Sequence, residues 1–453
     1  MKTRAARLAI VGATVAASVT LIAVAPPRRE FTYTRLQNGL RVVISEDHSA
    51  PVFAISVNYD VGSRNERMGR TGFAHLFEHM MFKGSKNVGS GEHFVLVLNT
   101  GGDMNGTTNK DRTEYFERLP SNQLDLALFL EADRMRSLDI TPQNLDNQRQ
   151  AVQEERRLRV DNSPYGRTDE VISELAYQNF AYAHSTIGSM EDLNAATVED
   201  VQAFFETYYA PNNAVLVIVG DVKTRDALAK VRKYFAAIPS QPLPPGVDMT
   251  EPQQTEERRA LIQDVLARLT RLDMVYHMPP ALTPDADALS VLASVLSEGR
   301  SSRLYEAIVR QKQLALNVGA STTNARGPGL FALGGILVPG KSFEDLRAAI
   351  DQEIERVKTG PIEPWELDKA RNGAKRAVVN TLTSTLQRAR SMAQYALFYD
   401  SPGLINSRYE RVEAITAADL QRVAKQYLVK TNRTVVVTAP KAEVETPGRE
   451  VAQ

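Results

Sequence analysis

Residues 75–79 read His-Leu-Phe-Glu-His. His75 and His79 are four apart, so on a helix both imidazoles lie on one face. One helix then offers a metal ion two ligands. Glu78 falls on the neighbouring flank, within reach of a water on such a metal without ligating it. The order is the reverse of His-Glu-x-x-His, the helix by which zinc supports hydrolysis. The same string could also be two histidines on an ordinary amphipathic helix. The chain has six His and no Cys, so thiolate sites are excluded and zinc would have to rely on imidazole and carboxylate.

A hydrolytic zinc site takes three protein ligands, with His, His and Glu a common set. The segment Leu145–Val160 is polar, free of Gly and Pro, and predicts a helix. It carries the adjacent pair Glu154 and Glu155, each of which by itself reads as a solvated helix charge.

With those residues in view, the chain resembles the pitrilysin-type (inverzincin, M16) metallopeptidases, in the half-length branch that includes mitochondrial processing peptidase. The likeness is carried by His75-x-x-Glu78-His79, by Gly62-Ser63, Glu66 and Gly72 before it, and by Phe82-Lys83-Gly84 after it. Gly101-Gly102, Asn105, Thr107, Gly188, Tyr208-Tyr209, Pro211-Asn212-Asn213 and Gly220-Asp221 extend it over roughly residues 33–440. The resemblance implies a third ligand about 75 residues beyond the second His. Glu155 stands there, with 75 residues between it and His79, and leads into Arg156-Arg157. It is therefore preferred to Glu154. The implied set is one zinc per chain on His75, His79 and Glu155, with Glu78 as general base.

Three more positions follow from the likeness. Some relatives carry a Glu seven residues before the third ligand; here it is Gln148, which could hydrogen-bond a neighbouring ligand. Asn105 and Gly106 match the edge strand that pairs with substrate, although Asn105 also reads as a turn residue. Arg310 matches an Arg that grips substrate, but the Tyr expected seven residues on is Asn317.

Composition bounds the rest. At 453 residues the chain is too long for one core. Lys plus Arg and Asp plus Glu are 54 each, so no net field favours nucleic acid. Residues 1–25 carry Lys2, Arg4 and Arg7, then an uncharged run from Leu8 to Ala25 ending Ala-Val-Ala. This predicts a signal peptide and export to a periplasmic space. Pro26 after the site and the 18-residue run keep an uncleaved N-terminal anchor as the alternative.

Val52–Tyr59 alternates as a half-buried strand, and Ala214–Val219 reads as a buried one. Residues 239–258 are Pro-rich and read as a linker. Thr197, Asp200 and Tyr208 recur at Thr416, Asp419 and Tyr427, an offset of 219 that argues for duplication. The expected architecture is α+β: two homologous domains, each a mostly antiparallel sheet with helices packed on it. The zinc-binding domain would span 30–238 and a metal-free one 259–442, with a tail at 443–453. The expected function is a zinc-dependent endopeptidase or oligopeptidase acting on short or unfolded peptides. The alternative is a non-catalytic, peptide-binding or scaffold subunit. A half-length chain without the Tyr is expected to pair with a similar subunit lacking the zinc motif, with a homodimer as runner-up.

Overall fold

The computed structural model describes residue 26 and residues 28–441. The proposed signal or anchor at 1–25 and the tail at 443–453 lie outside the described residues.

Two sheets organise the chain. The first contains β1 (Thr32–Arg35), β2 (Arg41–Glu46), β3 (Val52–Tyr59), β4 (Asp103–Thr108), β5 (Thr113–Pro120) and β6 (Ala214–Gly220). Their order is β1-β2-β6-β3-β5-β4, parallel only between β2 and β6. The second contains β7 (Arg258–Asp264), β8 (Arg271–Met278), β9 (Ala315–Thr323), β10 (Gly329–Leu337) and β11 (Arg433–Pro440). Its order, β7-β11-β8-β10-β9, repeats the first without β1, and its one parallel pair, β7 with β11, falls at the equivalent place. β4 and β9 are the matching edge strands.

The 219-residue repeat has a structural basis. Thr197 and Thr416 each accept the N–H of the residue three on, Asp200 and Asp419, whose carboxylates bind back to the Thr N–H. These are two capping boxes. Asn213 and Asn432 then each donate to the carbonyl of the Tyr five residues earlier, at 2.9 Å in both. The counterpart of the metal helix in the second half is Pro284–Ser297, where Leu289, Leu292 and Leu296 are fully buried.

The halves exchange helices. Thr385–Tyr399, from the second half, covers the outer face of the first sheet, placing Ala389, Met392, Ala393 and Ala396 on Val43, Val215, Val217 and Val219. The segment around Ile172, Ala176 and Tyr182 covers the second sheet at Val275, Leu330 and Val436 in return. Strand β6, Ala-Val-Leu-Val-Ile-Val-Gly, is apolar at every position and buried throughout. Both its faces must therefore be covered, and its own half covers only one. Polar ties cross the same boundary: Arg388 with Asp47 at 2.5 Å and Arg390 with Glu114 at 2.9 Å.

Residues 239–257 hold no helix or strand. They are nonetheless fastened, because the Asn179 side chain donates to the carbonyls of Asp248 and Thr250, and Val247 and Met249 pack beside Tyr182.

Candidate metal centre

Helix α1 (Phe73–Met80) carries His75, Glu78 and His79. Its apolar face buries Phe73, Leu76, Phe77 and Met80, with Phe77 packed against Phe204, Phe205 and Tyr209. The helix starts at Phe73, two residues later than a start at Thr71 would put it, because Gly72 is in the left-handed region at φ +84°. A Cβ at Gly72 would lie 2.6 Å from the Ile187 carbonyl oxygen, and one at Gly188 would lie 2.5 Å from Gly72 Cα. Two backbones touch there, and only glycine fits.

Having no side chain at its N-cap, α1 takes its cap from Glu66. The buried carboxylate accepts the N–H of Gly72 at 2.9 Å and of Ala74 at 2.7 Å, next to the positive end of the helix dipole. His184 Nε2 reaches the same carboxylate at 3.0 Å, and its Nδ1 lies 2.7 Å from the Phe180 carbonyl. A carbonyl oxygen only accepts, so Nδ1 carries a proton and the Nε2–Glu66 contact shares another.

Helix α4 (Pro142–Arg156) carries the third donor. It runs earlier than Leu145–Val160, because Thr141 caps it with Pro142 in its first turn, and it widens after Arg156 into a π turn at Arg157–Asp161. Arg156 donates to the Gly188 carbonyl at 2.7 Å and pairs with Glu170, so α4 is pinned to the loop that abuts Gly72. One loop thus fixes both helices.

The result is a convergence of three donors. Glu155 Oε2 lies 3.6 Å from His75 Nε2 and 3.3 Å from His79 Nε2, and the ligand atoms of the three residues all lie within 4.8 Å of one another. Two ligands at ~2.05 Å from a tetrahedral zinc stand ~3.3 Å apart, so the donor set fits that ion. Glu155 Oε1 is held by Arg159 at 2.6 Å. Glu154 turns outward to Arg157. Burial, aided by the nearby His79, lowers the His75 pKa to about 4, which keeps its ring neutral and its lone pair available near pH 7. His75 Nδ1 is buried and has no hydrogen-bond partner among the described residues.

Glu78 stands beside the donors, under the edge strand β4. Thr108 Oγ1 donates to its Oε2 at 2.5 Å. Burial raises the Glu78 pKa above the usual carboxylate range, with the Thr108 hydrogen bond opposing the rise. A Cβ at Gly106 would come within 2.9 Å of Glu78 Cγ and 3.1 Å of its Oε1. Gly106 therefore makes room for Glu78. Asn105 is exposed on the same strand and accepts the Gly106 N–H at 2.8 Å.

Other expected residues fall elsewhere. Gln148 is buried, but its amide donates to Asn147 at 2.6 Å and makes no hydrogen bond to the three donors. Arg310 sits on a π turn (Tyr305–Gln311), 71% exposed and paired with Glu306. Asn317 lines a cavity of about 810 Å³ between the halves, whose wall runs from Thr108 and Lys110 to Ser321 and Gly334.

Sequence reasoning gave no role to Thr108, Arg159 or His184, and it missed a second buried cluster. His93 Nε2 lies 2.7 Å from Glu117 Oε1, while Arg134 pairs with Glu131 and stacks over Tyr115 at 4.4 Å. Burial pushes the Glu117 carboxyl up to about 7, and its Oε2 has no partner. Arg134 already neutralises Glu131, so this cluster is a charge network rather than an open donor set. His93, Glu117 and Glu131 lie 14 to 38 positions apart with no spacing signature; only their burial reveals them.

The chain is similar to known proteins across both halves. Residues 41–189 match the family described as insulinase (peptidase family M16), and residues 195–374 match the one described as peptidase M16 inactive domain. The chain is 34% identical to zinc protease PqqE of Helicobacter pylori over 89% of this chain and 92% of that one. It is 25% identical to a probable mitochondrial-processing peptidase subunit beta of Arabidopsis thaliana, covering 88% of this chain and 76% of the relative. The crystal structure of a protease from Helicobacter pylori superposes with a TM-score of 0.87 at 33% identity, covering 91% of this chain and all of that one. The periplasmic protease PqqL from Escherichia coli shares the fold at a TM-score of 0.75 and 19% identity. The match covers 92% of this chain but 48% of PqqL, so this chain spans about half its length.

Proposed function

This chain belongs to the M16 peptidase family, and on that premise we propose that it is a zinc-dependent endopeptidase or oligopeptidase, with zinc held by His75, His79 and Glu155. The observation that carries the reading is the meeting of both His Nε2 atoms on Glu155 Oε2, with the Glu78 carboxylate alongside. The region matching the inactive domain begins at residue 195, beyond all four of these residues. A non-catalytic subunit would have no physical reason to keep all four, which weighs against the scaffold alternative.

Zinc, when bound, supplies Lewis acidity that polarises a carbonyl and acidifies water. The chain's own residues do the rest. Neutral His75 offers a lone pair, and Arg159 orients Glu155 by holding its second oxygen. Glu78 takes the proton of the attacking water and passes it to the leaving amine. Burial of its carboxylate favours the protonated form, which helps it hold the proton between the two transfers.

Substrate would lie along β4, a free edge that can pair with an extended backbone, with Asn105 facing it. Short or unfolded peptides meet that requirement; compact proteins do not. Thr108, hydrogen-bonded to Glu78, is also part of the wall of the cavity between the halves, and a half-length chain would need a second subunit to close over a bound peptide. A similar subunit lacking the zinc motif is the proposed partner, and a second copy is the runner-up. Arg310, solvent-exposed in the single chain, would serve substrate only across such an interface. Export to the periplasm is proposed from the N-terminal apolar run, and no helix of the described residues is long and apolar enough to cross a membrane.

The test is metal analysis of the pure chain beside a digest of an unfolded peptide, with and without a chelator. One zinc per chain and chelator-sensitive cleavage are expected. Metal-independent cleavage, or tightly bound zinc with no cleavage in either the dimer or the complex, would overturn the reading.

A further inference from the structure

We infer that Thr108 is a positioning residue for the general base, holding one oxygen of Glu78 so that the other alone handles the proton. The inference rests on the reading of Glu78 as base. Thr108 Oγ1 donates to Oε2 at 2.5 Å, whereas Oε1 makes no hydrogen bond among the described residues. Oε1 lies over Gly106, 3.1 Å from where a Cβ would stand. The two oxygens are therefore unlike.

The hydroxyl is presented by a rigid hairpin. Thr108 pairs with Thr113, whose own hydroxyl is bound to the Val61 carbonyl at 2.9 Å. At the tip, the carbonyls of Asn109 and Lys110 accept the N–H groups of Ser63 and Arg64 at 3.1 and 3.0 Å. From the second half, the Arg326 N–H reaches Asp111 Oδ2 at 2.8 Å. Arg112 closes the strand end by donating to the Thr107 carbonyl at 2.9 Å. Gly62 is needed at this junction, since a Cβ there would lie 2.3 Å from the Asn109 carbonyl.

A carboxylate can turn about its last bond. In a site with one fixed donor it stops in one orientation, and catalytic geometry is sensitive to a shift of ~1 Å by ~10²-fold. Thr108→Val removes only the donor, keeping the β-branched shape that suits the strand.

The experiment measures cleavage of an internally quenched peptide by the zinc-loaded chain with its partner subunit or second copy. For Thr108→Val, kcat should fall about 30- to 100-fold with KM within about twofold. Zinc affinity by competition with a chelating dye, and peptide binding to the zinc-free protein, should stay within about twofold. Thr108→Ser, which keeps the hydroxyl, should restore kcat to within about threefold. A Val variant that keeps its kcat, loses zinc, or is not rescued by Ser would overturn the inference. Turnover by Glu78→Gln itself would instead overturn the assignment of the base.

Discussion

Replacing Glu66 by Ala should loosen the metal helix without touching any metal donor. The Glu66 carboxylate is fully buried and receives three hydrogen bonds, from Gly72 N, Ala74 N and His184 Nε2, all at 2.7–3.0 Å. Truncation removes the acceptor that all three partners share, and each stranded buried polar group costs about 1–3 kcal/mol. Loss of negative charge at the start of α1 adds roughly 0.5–1 kcal/mol. The sum is roughly 4–10 kcal/mol, concentrated where His75 and His79 are presented. Zinc affinity should weaken by up to ~10²-fold, since zinc binds only the fraction with α1 docked. Chemical unfolding of the metal-free chain and zinc titration against a chelating dye report the two effects. Glu66→Gln, which keeps one acceptor oxygen, should cost about half as much. If Glu66→Ala lost less than about 1 kcal/mol and bound zinc as before, the capping account of α1 would be wrong.

Two further perturbations follow. Gly72→Ala should destabilise the chain by about 2–5 kcal/mol, combining ~1–2 kcal/mol for the left-handed backbone with ~1–3 kcal/mol for the contact with the Ile187 carbonyl, read by the same unfolding assay. Glu117→Gln should stabilise the chain at pH 8 and change it little at pH 5. The folded pKa of Glu117, about 7, lies above its unfolded value, so the folded state binds the extra proton and the native carboxyl loses stability as pH rises through that window. A pair of unfolding curves at the two pH values checks the sign.

Much of the site was legible in the sequence because its chemistry is local. His75, Glu78 and His79 sit on one helix, and a spacing of four fixes their common face. Glu155 was legible only through family likeness: Glu154 and Glu155 differ by one helical step, and nothing nearby says which way the helix faces. The structure turns Glu155 to the imidazoles and Glu154 to Arg157. Gly72 and Glu66 stood in the motif without a role, since capping by a carboxylate six residues upstream of Gly72 escapes rules written for adjacent residues. Thr108 and His184 meet their partners from 30 and 118 residues away. The bounds of β3 held to the residue, Val52 to Tyr59, but the expected half-buried alternation did not: residues 53–59 are buried on both faces, because the helix Thr385–Tyr399 from the second half covers the outer one. The exchange of helices between halves had one local trace, the unbroken apolar run of β6. Gly106, expected to contact substrate, also leaves the space that Glu78 occupies, which no sequence rule points to.

The central claim is that three donors bind zinc while a fourth residue does the proton chemistry. Zinc stoichiometry and peptide turnover, measured together on Glu78→Gln and Glu155→Gln, test it most directly. Glu78→Gln should hold one zinc per chain and show no turnover, while Glu155→Gln should bind zinc weakly. Substantial turnover or loss of zinc in the first variant, or tight zinc in the second, would contradict the account.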